Sequence, residues 1–122
     1  MKYAALSFLL VIPFSYAESY SEKYMSCVDN SNGVTIELID CISDETIYQD
    51  KRLNFAYKKV MQSLNLKDSQ ALRAKQRSWI KARDEKVNSV IGDGTSHQLN
   101  TMSVFLDETM NRAEELESFL ER

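Results

Sequence analysis

The sequence has little of what reverses a chain: three glycines and one proline in 122 residues. Sandwiches and barrels built from many short strands need those residues at their turns, so they are excluded. The same scarcity excludes a glycine-rich phosphate-cradling loop, and no Walker or dinucleotide fingerprint occurs. There is one histidine and there are two cysteines, too few soft ligands for a structural metal centre; no metal or other cofactor is expected. Excess positive charge is also missing. The formal net charge is −3, the wrong sign for a nucleic-acid or anionic-membrane partner. What is present is 43% hydrophobic and 27% charged residues, the composition of a small globular domain.

The one long apolar run is at the start. Met1-Lys2 is followed by an almost unbroken apolar run from Ala4 to Phe14 and by Ser15-Tyr16-Ala17. The run is too short to span a bilayer. It reads as a secretory signal peptide over 1–17, cut after Ala17, with residues 18–122 as a single domain. No cysteine stands after the cut to accept a lipid, and no later stretch is apolar enough to hold the chain in a membrane. The expected location is the periplasm. In an oxidising compartment Cys27 and Cys41 read as a disulfide rather than as ligands or nucleophiles.

Glycines 33, 92 and 94 fall where the helical periodicity breaks, so the fold class expected is all-α, a small four-helix bundle. A short first helix runs from about Ser21 to Asn30 and ends at the turn cluster Asp29 to Gly33. Thr35 can cap a long second helix, with Glu37 in its first turn. Its apolar positions are Ile39, Ile42, Leu53, Tyr57, Val60 and Leu64. Asp68 or Ser69 can cap the third, whose inner stripe reads Leu72, Gln76, Trp79, Ile80, Arg83, Val87 and Val90. Gly92 to Thr95 reads as a tight loop before the last helix. The cysteines flank the first turn, so the disulfide staples the short helix to the long one.

Two charges lie on apolar stripes, Asp50 on the second helix and Arg83 on the third. An unpaired buried charge is costly. The expectation is a structural pair of Asp50 with Arg83, with Asn54 and Gln76 satisfying the remaining groups. Enzyme templates find no footing. Asp84 and Glu85 are consecutive on a helix and face different ways, so they cannot act as an acid–base pair. With both thiols bonded, a Cys–His nucleophile is missing, and His97 is expected to face solvent. No catalytic residue is assigned.

These residues together resemble a known family. Asp50-x-x-Leu53-Asn54-x-x-Tyr57, then Leu72-x-x-x-Gln76-x-x-Trp79-x-x-x-Arg83-Asp84, is similar to the signature of the LprI-type lysozyme inhibitors. Gly92 to Ser96 stands where that family has its glycine-containing loop. Thr109-x-x-Arg112-Ala113-x-x-Leu116 resembles its closing helix, and Cys27 and Cys41 match its first cysteine pair. A second pair common in the family is absent. The resemblance implies an exported, disulfide-bonded helical domain that inhibits a peptidoglycan-cleaving muramidase, and its signature is read as framework rather than binding site.

Charge is unevenly spread. Residues 18–50 carry one basic and eight acidic side chains, residues 67–86 seven basic and three acidic, and residues 87–122 two basic and seven acidic. An acidic surface formed by the two ends of the chain would steer a cationic hydrolase toward it. Loops supply adaptable contacts, so the contact candidates are Asp93, Gly94, Thr95, Ser96 and His97, then Asp29, Asn30 and Asn32. Two settings suit such an inhibitor: immunity against a type VI secretion cell-wall effector, or defence against host lysozyme. The alternative is a non-catalytic structural module acting as a homodimer through the surplus apolar width of the last helix, at Met102, Val104, Phe105, Leu106 and Met110.

Overall fold

A computed structural model describes residues 20–121; the signal peptide expected over 1–17 lies outside the described residues. Four helices follow one another: α1 (Glu22–Ser31), α2 (Thr35–Ser63), α3 (Leu66–Asn88) and α4 (Gly94–Leu120). The all-α four-helix reading holds for these residues.

Ser21 starts α1. Its hydroxyl accepts from the Tyr24 amide at 3.1 Å, and its own N–H and O–H donate to Glu45 on α2 at 2.8 and 2.6 Å. One residue thus caps a helix and fastens it to the next. At the other end, the buried Ser31 hydroxyl donates to the Val28 carbonyl and accepts from the Gly33 amide. Asn32 and Gly33 then take positive φ values of 52° and 78°, the left-handed turn that ends many helices. The Cys27–Cys41 disulfide closes the hairpin, with Cα atoms 5.8 Å apart.

The starts of α2 and α3 differ from expectation. Val34, not Thr35, occupies the N-cap of α2, and no side chain caps it. Asn65 caps α3, accepting from the Asp68 amide at 2.8 Å, so the helix begins before Asp68. The asparagine oxygen serves an otherwise unpaired first-turn N–H.

The central element is α4. It lies along α2 on one side and α3 on the other, and six of its side chains are buried: Leu106, Thr109, Met110, Arg112, Ala113 and Leu116. Only Leu72 and Gln76 are buried on α3. Leu53, Ala56 and Val60 from α2 meet Leu72, Ala113 and Leu116, with Trp79 and Tyr57 packed against them. Arg52 and Glu117 join α2 to α4 through two hydrogen bonds of 2.8 and 2.6 Å. That contact holds the Arg52 guanidinium pKa above its ordinary value. The surplus apolar width of the last helix has a structural use: Leu106 and Met110 are buried because α4 has neighbours on two sides.

Candidate functional site

The family-like polar residues form two groups, and neither is the expected pair. Asp50 is exposed and accepts from Asn54 Nδ2 at 3.3 Å, one turn along its own helix. Arg83 turns to α4. Its guanidinium carbon lies 4.0 Å from the Phe105 ring centroid and 4.9 Å from that of Trp79. Its Nη1 is 3.5 Å from the Thr109 hydroxyl, and its Nε donates to Asp84 at 3.2 Å. The proposed Asp50–Arg83 pair is therefore not formed. The buried line of α2 runs through Ile42, Glu45, Gln49, Leu53, Ala56 and Val60. With about 100° of rotation per residue, Asp50 stands a quarter-turn away from Gln49. The expected face was the shoulder of the core face. Arg83 needs no carboxylate partner from α2 because two aromatic faces and a hydroxyl receive it.

Gln76 serves a different arginine. Its Oε1 accepts from Arg112 Nε at 2.8 Å, and Arg112 Nη1 donates to Glu115 at 2.8 Å. Arg112 is 8% exposed, and its Nη2 has no hydrogen-bond partner among the described residues. The resemblance places Arg112 in the closing-helix framework motif, and its position between Thr109 and Leu116 puts it on the inner stripe of α4, where Gln76 receives it.

A second polar cluster, not anticipated, sits between α1 and α2. Glu45 is 3% exposed and receives Ser21 twice and Gln49 Nε2 at 2.9 Å. The signal was available: Cys41, Glu45 and Gln49 recur every four residues from a half-cystine that must face α1. Tyr20 extends the cluster by donating its hydroxyl to Asp107 on α4. Burial first, then Asp107, raises the Tyr20 pKa, and burial with Asp107 and Glu45 raises that of Tyr24.

The contact candidates lie at one end of the bundle. Successive helices run antiparallel, so the α1–α2 turn and the α3–α4 connection emerge on the same side. Asp29 and Asn30 are exposed but belong to the last turn of α1, and Asn32 is in the turn itself. Asp93 is the N-cap of α4 and makes no side-chain cap bond. Gly94, Thr95, Ser96 and His97 are in the first turn of α4 rather than in a loop. The helix starts early because Gly92 and Gly94, with φ of 138° and 70°, complete the reversal within a few residues. His97 is half-buried instead of solvent-facing. Its side chain packs beside Gly92, within van der Waals reach of where a Cβ there would sit, and its Nδ1 has no hydrogen-bond partner among the described residues.

Beside this end, α1 and α2 enclose a groove of about 280 Å³. The disulfide, Tyr24, Tyr48, Asp44 and Glu45 line it. Among the described residues no helix is long and apolar enough to cross a membrane, and no group of three His, Cys, Asp or Glu side chains is placed to hold a metal ion.

No curated protein and no solved structure matches the chain. One family model does, that of the lysozyme inhibitor LprI, over residues 27–116. The matched span opens at the first half-cystine and closes at Leu116 in the core of α4, taking in the disulfide, both arginine clusters and all three helix connections. Covering most of the sequence, it shows that the chain belongs to the LprI lysozyme-inhibitor family.

Proposed function

We propose that this protein is a periplasmic inhibitor of a lysozyme-like muramidase. The observation that carries the reading is the inhibitor-family match over 27–116. The chemistry of the chain supports it. Muramidases work in an open cleft with two carboxylates, and a small pre-organised protein can block such a cleft at low entropic cost. Here the Cys27–Cys41 staple and the Ser21–Glu45 contacts hold α1 on α2. The contacts we assign are Asp93 to His97 with Asp29, Asn30 and Asn32, at the end where the two connections converge. Excess acidity near both chain ends favours a cationic hydrolase, with an on-rate that falls as salt rises.

The test is a cell-wall turbidity assay with the exported, disulfide-bonded protein against a panel of muramidases. The panel includes host-type lysozymes and any cell-wall toxin encoded beside the gene. The expected result is stoichiometric inhibition of at least one. Inhibition of the toxin alone assigns an immunity role, and inhibition of host lysozyme assigns defence. Absence of inhibition and of any complex across the panel would overturn the proposal and leave a structural module, whose homodimer would be visible by sedimentation.

A further inference from the structure

We propose that the α1–α2 groove is a receptor for one cationic side chain of the target hydrolase, best filled by an arginine. The inference rests on the inhibitor reading and names the chemistry of a contact within it. The groove's size is the first argument. About 280 Å³ falls just under the range of small-molecule sites; it takes one long side chain and is too small for a saccharide chain. Its lining is the second. Two aromatic residues, Tyr24 and Tyr48, line it together with the Cys27–Cys41 disulfide, and the Tyr24 ring also packs against Tyr20 at 4.9 Å between centroids. Such surroundings suit the flat guanidinium and the methylene stem of arginine.

Charge is the third argument. Two carboxylates, Asp44 and Glu45, face the groove against one basic side chain, Lys23. Glu45 is already engaged by Ser21 and Gln49. Asp44 is exposed and makes no hydrogen bond or ion pair among the described residues, so its oxygens are open to an incoming donor. The raised pKa of Tyr24, caused by burial and then by Asp107 and Glu45, points to the same negative field. An anionic occupant would be repelled by that field, and an apolar one would leave the Asp44 carboxylate unused. The groove also lies beside Cys27, about one turn from Asn30, so a hydrolase seated on the proposed contact end would reach it.

Two measurements test the inference separately from the inhibitor reading. In the first, N-acetyl-arginine methylamide is titrated into the disulfide-bonded protein and followed by amide NMR, with N-acetyl-leucine methylamide as control. Saturable shifts are expected at Tyr24, Cys27, Asp44 and Tyr48 with the arginine probe only, and Asp44→Asn should abolish them. Shifts elsewhere, none at all, or equal shifts with the leucine probe would overturn the groove whatever the target. In the second, affinity for a muramidase that the wild type inhibits is compared across two charge reversals. Asp44→Lys should weaken binding about tenfold or more. Glu121→Lys makes the same charge change at the far end of α4 and should shift affinity less than about twofold. Equal effects would reduce the groove to general electrostatics and sink the proposal. Failure of the wild type to bind any muramidase would sink the inhibitor reading, while the arginine titration still decides the groove.

Discussion

Helices α3 and α4 are of similar length, 23 and 27 residues, yet they live differently. α4 buries six side chains and α3 two. Both carry a helical apolar stripe, so periodicity does not separate them. Neighbours do. α4 is held between α2 and α3, with Tyr20 reaching it from beside α1. α3 leans on α4 alone for most of its length. Its upper stripe ends in solvent: Ile80 is 40% exposed, and Arg83 takes up the contact with Phe105. The surplus of basic side chains on α3 therefore remains hydrated, which lets a peripheral helix carry them at little cost.

The largest test of this contrast is in the core. Leu116, at 0% exposure, should cost about 4 kcal/mol when replaced by alanine. Leu72, at 9%, should cost about 2 kcal/mol. Denaturant unfolding of both variants measures the gap, and equal losses would show that α3 is as deeply packed as α4.

A smaller effect concerns the arginine on α3. Arg83→Ala loses two aromatic contacts and should cost about 1–2 kcal/mol. Asp50→Ala should change stability by less than about 0.5 kcal/mol, because its carboxylate is exposed. A double-mutant cycle should give no coupling between the two. Coupling of about 1 kcal/mol or more would restore the cross-helix pair.

The smallest effect at neutral pH appears only in alkali. The Tyr20 and Tyr24 pKa values are raised in the folded state. As pH climbs past about 10, the ordinary tyrosine value, the unfolded chain releases these protons first. Stability is then intact below about pH 10 and declines above it. Tyr20→Phe should flatten thermal-melt curves between pH 9 and 11, at the expense of the Asp107 contact at all pH values. An unchanged alkaline slope in that variant would remove Tyr20 from the titration.

Much of the fold was legible. Scarce glycine and proline, breaks at Gly33 and Gly92–Gly94, and two cysteines flanking the first turn led to four helices and the Cys27–Cys41 bond. Local chemistry set these features, and local chemistry is written in order along the chain. The family signature was legible as well, because Trp79 and Arg83 stand one turn apart and Arg112 precedes Ala113. The partners of its charges were not. Arg83 and Asp50 both fall near apolar stripes, but a stripe is broad, and a residue on its shoulder faces core or solvent according to how the next helix leans. Glu45 was missed for the reciprocal reason. A carboxylate on an acidic stretch looks hydrated until a serine from another helix arrives to satisfy it.

By itself, then, the sequence determined helix number, the two tight reversals, the disulfide and the family to which the chain belongs. Each follows from residues close in the chain or from their spacing. Only the tertiary structure decided that α4 is central, that Arg83 and Arg112 are served from α3 and α4 rather than from Asp50, and that Tyr24, Tyr48 and Asp44 gather around the disulfide. The physical reason is that helical periodicity gives the direction of a face and says nothing of the angle at which a neighbour crosses it.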